Sequence, residues 1–147
     1  MAHVELSLTE PSVAPDGGRQ PAEPLERWGL TVAAAPEPCL VIDAMSEIVA
    51  VSVAACELLG FPDPGAVVGR HLFGGILPLL DFTSAAAPLT DGELEKIPPV
   101  LAYSSHRLAR GLLRVRAGDG LRTIDAVASP LYDGPTVVGS VTFLCQI

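Results

Sequence analysis

CLVIDAMSEIVAVSVAACELLGF, residues 39–61, holds two β-rich runs followed by a helix. Cys39 to Asp43 is short, apolar and β-branched, which predicts a strand. Asp43 to Glu47 reads as a turn, because an Asp side chain can bond the backbone two residues on. Ile48 to Ser52 predicts a second strand, and two short strands with so tight a connection form a hairpin. Ser52 also stands where a helix N-cap belongs, its hydroxyl able to accept a free N–H from the first turn of Val53–Leu59. Gly60 closes that helix, since glycine adopts the left-handed conformation of a helix end without strain.

Downstream, Pro62-Asp-Pro-Gly65 reads as a turn. Residues 66–89 carry Gly69, Gly74, Gly75, Pro78 and Pro88, which allow only short helical pieces. Thr90-Asp-Gly-Glu93 has the form of a capping box and opens a helix. Pro98 and Pro99 interrupt or restart it, and irregular helix continues to about Ser105. The rest reads as three strands. In Leu108 to Ala117, Leu113, Val115 and Ala117 share one face and Arg114 and Arg116 the other. A Gly118-Asp-Gly120 turn leads to Leu121–Tyr132, and Asp133-Gly134 leads to Pro135–Ile147. The last strand places Val137, Val141, Phe143, Cys145 and Ile147 on one face, and Thr136, Ser140, Thr142 and Gln146 on the other. The order β-β-α…α-β-β-β predicts an α+β fold. Its five-stranded antiparallel sheet has helices inserted between strands 2 and 3 covering one face.

Upstream, Pro24 to Ala35 reads as a short amphipathic helix with Leu25, Trp28 and Val32 on one face, although Gly29 weakens it. Trp28, the single tryptophan, reads as a core or dimer-contact residue. Residues 1–24 are rich in proline and carboxylates and read as a disordered tail, leaving 25–147 as the folded domain.

Composition narrows the function. The chain has 147 residues, a net charge of −8 and 49% apolar residues. One domain of this size needs no staple. The apolar fraction exceeds what one small core hides, which predicts a partner or a homodimer. An acidic chain is a poor ligand for phosphate backbones, so nucleic acid is not an expected partner. The charge is uneven, because Arg107, Arg110, Arg114, Arg116 and Arg122 cluster in residues 104–122. Arg114 and Arg116 could meet an acidic partner, or form a solvated strand face. Cys39, Cys56 and Cys145 are too few and too scattered for a disulfide framework or a zinc site, and each reads as a small buried residue. No signal peptide or membrane span is evident, so a cytoplasmic protein is expected, with no membrane partner. Gly-x-Ser-x-Gly and phosphate-loop motifs are lacking, and no enzyme is expected.

Taken in order, three segments resemble a PAS domain. Residues 39–61 resemble its opening hairpin and helix. "VVGRHLFGGILP" (67–78) resembles the Gly-basic segment that follows. "LLRVRAGDGLRTIDAVASPLYDGPTVVGSVTFLCQI" (112–147) resembles its closing strands, with Gly120-Leu-Arg122, Ser-Pro-Leu at 129–131 and Val-Val-Gly at 137–139. The resemblance covers residues 28–147 and implies that the 39–52 hairpin lies beside the C-terminal strand. Departures are the missing glycine in the turn after Asp43, Ser52 where Asn is frequent, and Gln146-Ile147 where a coupling Asp-Ile-Thr is common.

The resemblance implies a signalling sensor or interaction module, in some members with haem, flavin or a metabolite between sheet and helices. Flavin–thiol photochemistry is disfavoured, because Gly69-Arg70-His71 stands where the reactive cysteine would be. Haem would need an axial ligand, for which His106 and then His71 are the candidates. A metabolite cavity would be lined by Leu40, Ile42, Val49, Val115, Val141 and Phe143; the same residues could simply fill the core. Two functions are expected: a stand-alone module that senses a ligand or relays a signal to a separate regulatory protein, or a ligand-free dimerisation adaptor. The dimer contact is expected on the sheet's outer face and the helix carrying Trp28.

Overall fold

The structure, a computed structural model, describes residues 23–118 and 120–147. The expected tail therefore lies outside it, apart from Glu23 and Pro24, which begin the first helix. In chain order the elements are α1 (Glu23–Ala33), β1 (Cys39–Asp43), β2 (Ile48–Val51), α2 (Val53–Leu59), α3 (Pro64–Val67) and β3 (Leu79–Leu80). They continue with α4 (Asp91–Leu94), α5 (Pro98–Ser105), β4 (Ala109–Ala117), β5 (Gly120–Asp133) and β6 (Thr136–Gln146). One antiparallel sheet runs β2-β1-β6-β5-β4-β3. The opening hairpin lies beside the last strand as expected, Val41 facing Val141 and Ile42 facing Ser140.

The opening segment folds as its residues dictate. Asp43 Oδ1 accepts from the N–H groups of Met45 and Glu47, both 2.9 Å, and so shapes the hairpin turn. The turn's left-handed position, where glycine is common, is Ser46 at φ 63. Ser46 is held by a 2.8 Å hydrogen bond between its hydroxyl and that of Tyr103 on α5. Ser52 Oγ caps α2 by accepting from Ala55 N–H at 3.1 Å, and donates to the Glu37 carbonyl at 2.7 Å. Gly60 is left-handed at φ 81. The Thr90–Glu93 capping box forms, and Pro98 opens α5, so the proline pair restarts the helix.

The sheet has six strands instead of five. The sixth, β3, pairs only Leu79 with Val115 and Leu80 with Arg114, and two residues carry no readable alternation. The expected 62–65 turn is the start of a helix: Asp63 caps α3 by accepting from Ala66 N–H at 3.0 Å. Helices also cover both faces. The inserted helices pack on the inner face, over Leu40, Ile42, Leu113, Val115, Ile124 and Leu144. On the outer face, α1 packs Leu25 and Val32 against Cys39, Val41, Ala50 and Val141. Gly29, not Trp28, completes the buried stripe of α1. A Cβ at position 29 would lie 3.4 Å from Val49 Cγ1 and 3.7 Å from Ala50 Cβ, ordinary packing distances, so Gly29 faces the sheet without being required by it.

Candidate functional site

The last strand decides what the sheet offers. Ser140 and Thr142, read as the polar face, are fully buried and face inward with Leu144. Ser140 Oγ donates to the Pro99 carbonyl at 2.7 Å. Thr142 Oγ1 has no hydrogen-bond partner among the described residues. Small residues make this possible: Ala102, Ala109 and Ala128 form one buried cluster that lets α5 sit close to the sheet.

The apolar face of β6 consequently points outward. Val141 is covered by α1, but Phe143 beyond it is 45% exposed, and Cys145 is exposed too. That corrects the reading of Cys145 as buried; Cys39 and Cys56 are buried. Burial raises the thiol pKa of both. Trp28 stands 37% exposed on the neighbouring helix, and Leu112 of β4 is 51% exposed on the same side. A groove of ≈ 590 Å³ runs between α1 and this face, lined by Trp28, Thr31, Leu131, Tyr132, Val141 and Phe143.

The six cavity candidates therefore do not converge. Leu40, Ile42 and Val115 lie in the inner core. Val141 belongs to the outer cluster, with Val49 half-buried against it. Phe143 faces outward. The reading failed at β6, where an apolar side was assigned to the interior.

Neither histidine reaches the interior. His71 is exposed, and its Nδ1 accepts from the Phe73 N–H at 3.1 Å within a turn. His106 is the exposed left-handed cap of α5 at φ 62, with its ring edge-on to Tyr132. Haem would need one of them turned inward, and these residues do not fit it. No group of three or more metal-ligating side chains occurs among the described residues.

Most of the arginine cluster has structural partners. Arg110 pairs bidentately with Asp125, at 2.6 and 3.1 Å, and this bond holds the Asp125 carboxyl below its ordinary pKa. Arg114 donates to the carbonyls of Asp81 and Thr83 and lies over the Phe82 ring at 6.0 Å, so it straps the segment after β3 to the sheet. Arg122 donates to the Glu57 and Leu58 carbonyls, at 2.7 and 2.9 Å, at the end of α2. Arg116 is exposed on the outer face. Arginine periodicity marked these strands but could not show which carbonyls the guanidinium groups would meet.

Scanned against family profiles and curated proteins, the sequence finds no match. Solved structures do match. The PAS domain of Bordetella pertussis BvgS superposes with a TM-score of 0.54 at 14% identity, over 84% of this chain and 84% of that one. The PAS domain of a Colwellia psychrerythraea protein gives 0.57 at 17% identity, over 84% of this chain and 96% of that one. Vibrio cholerae VqmA, described as a dimer with a target DNA, gives 0.59 at 20% identity over 84% of this chain. The match spans about half of VqmA, 51% of its length. The chain has the PAS domain fold. Because VqmA has a target DNA, its likeness lends no support to the expectation that nucleic acid is not a partner. Among the described residues no helix is long and apolar enough to cross a membrane.

Proposed function

We propose that this chain is a PAS-type signalling module that pairs with a second copy of itself through the outer sheet face and α1, and relays a signal by protein–protein contact. The carrying observation is the orientation of β6, which buries Ser140 and Thr142 and leaves Phe143 outside, lining the same groove as Trp28. A contiguous exposed apolar surface of this kind is characteristic of an interaction site. Aromatic residues at its centre suit an interface core. The dimeric description of VqmA supports the same reading. No catalytic role is assigned, and the partner in the signal is a separate regulatory protein.

The single tryptophan supplies the test. Pairing covers Trp28, so its emission should shift to the red as the protein is diluted and the dimer dissociates. Phe143→Glu should show the red-shifted emission at every concentration. A wild-type spectrum independent of concentration and identical to that of Phe143→Glu would reject the reading.

A second reading rests on the Thr142 hydroxyl, fully buried without a partner among the described residues. Buried polar groups are normally satisfied, often by an enclosed water. A small polar metabolite bonded to Thr142 would make the module a ligand sensor. Native mass spectrometry of freshly purified protein would show such a ligand as added mass; a bare chain mass counts against it.

A further inference from the structure

We propose that the hollow where β4 runs on past the end of β3 is a binding site for a free α-amino acid with an apolar side chain. β3 pairs only Leu79 and Leu80 with β4. The chain then turns away, because the Asp81 N–H donates to the Ala87 carbonyl at 2.8 Å. Beyond this point the edge of β4 has no strand beside it among the described residues. The Arg116 N–H faces that edge, donating to the Pro78 carbonyl at 3.2 Å. Strand alternation points the main-chain groups of Leu112 to the same side.

The hollow measures ≈ 280 Å³, and Leu89, Ile97, Pro98 and Leu113 form its apolar part. Ile97 and Leu113 are themselves buried in the inner core. An apolar cavity of about 150 Å³ is enough to take benzene. The larger space here has room for a branched or aromatic side chain together with a small polar head.

The rim carries charges of both signs, from Asp81, Glu93, Lys96 and Arg114. Arg114 is already engaged: it donates to the Asp81 and Thr83 carbonyls and so fixes one wall. No salt bridge joins Lys96 to Glu93 or Asp81 among the described residues. Glu93 uses Oε1 for the capping box, and Asp81 uses Oδ1 for Thr83 and Ala87. Each carboxylate thus keeps a second oxygen without a partner among the described residues.

An anion alone would meet two carboxylates, and a cation alone would meet two basic groups. A zwitterion suits both signs. An α-amino acid carries both charges and its side chain on one carbon atom. Lys96 then holds the carboxylate and Glu93 the ammonium, through charge-assisted hydrogen bonds. The side chain enters between Leu89, Ile97 and Leu113, and the edge groups of Leu112 offer the head a further N–H and C=O. A peptide end carries only one of the two charges. None of the residues lining the groove of Trp28 and Phe143 lines this hollow, so the site is separate from the pairing surface.

Titration of the full chain with L-leucine and with L-phenylalanine, followed by amide NMR, tests the proposal. At least one of the two should give saturable shifts at the Lys96, Leu112 and Leu113 amides. Controls lacking one charge are isocaproate and isoamylamine for L-leucine, and hydrocinnamate and phenethylamine for L-phenylalanine. Each control should bind at least about tenfold more weakly than its parent, and the parent should lose a similar factor in Lys96→Gln. Lys96 is exposed, so that variant should keep the circular dichroism of the wild type. The absence of saturable shifts with either amino acid overturns the proposal. So do controls that bind as tightly as their parents, which would leave only an apolar hollow, and binding unchanged in Lys96→Gln. Shifts centred on Trp28 and Phe143, or on Thr142, overturn it as well, since they would place the amino acid elsewhere.

Discussion

Ser140 on β6 donates its hydroxyl to the Pro99 carbonyl of α5 at 2.7 Å, in an interface closed to solvent. One step along the same face, Thr142 is equally buried and its hydroxyl has no partner among the described residues. The two hydroxyls should respond oppositely to deletion. Ser140→Ala loses a hydrogen bond worth about 1 kcal/mol. Thr142→Val removes an unsatisfied group from an almost unchanged shape and should be neutral or stabilising. Urea unfolding of both variants measures this. Destabilisation by Thr142→Val would mean that the hydroxyl is bonded to a bound molecule, as the ligand-sensor reading requires.

Gly139 is a contact residue. A Cβ at this position would run into the Ile42 carbonyl oxygen, with Asp43 Cα and Leu25 Cδ2 at 3.0 Å. Ile42 and Asp43 are backbone neighbours on β1 and cannot move aside separately from the sheet. Gly139→Ala should cost at least about 2 kcal/mol. An unchanged urea midpoint would show that β1 and β6 tolerate a wider spacing than the structure has.

The three thiols should separate by reactivity. Burial raises the pKa of Cys39 and Cys56, so both are poor nucleophiles, while Cys145 is exposed. A neutral thiol reagent should modify one thiol per chain in dilute native protein and three after denaturation. If the outer face pairs as proposed, Cys145 should also react more slowly as concentration rises. Rapid modification of all three in native protein would contradict the placement of β1 and α2.

Acid sensitivity should trace in part to two surface carboxylates. Asp125 is lowered by its hydrogen bonds from Arg110, and Asp81 by the Thr83 hydroxyl, 2.6 Å away. A carboxyl whose folded pKa lies below its unfolded value of about 3.9 adds stability above that pH. The stability is lost as pH falls through the folded value. Asp125→Asn should therefore flatten the decline in thermal stability below about pH 4, and change little of the slope between pH 6 and 8. A wild-type slope retained below pH 4 in that variant would remove Arg110–Asp125 from the explanation.

Much of the fold was legible because local chemistry fixed it. The Ser52 cap, the left-handed Gly60, the Thr90–Glu93 box and the Asp43 turn each act within a few residues. The hairpin's place beside β6 followed from the resemblance to a known order of elements. What could not be read depended on neighbours distant in sequence. Two residues of β3 show no period. On β6 the alternation was correct but its direction was not: small alanines on α5 and β5 draw Ser140 and Thr142 inside. The cavity candidates inherited that inversion, and Cys145 with them. His71 and His106 suggested ligands only as long as the turns that hold their rings outward were unseen.

The central claim, that the apolar face of β6 is a surface for a second copy, is tested most directly by sedimentation equilibrium of wild-type protein and Phe143→Glu. The account predicts a wild-type dimer that becomes a monomer in Phe143→Glu, with circular dichroism unchanged. A monomeric wild type across the micromolar range, or a dimer that survives Phe143→Glu together with Trp28→Glu, would contradict it.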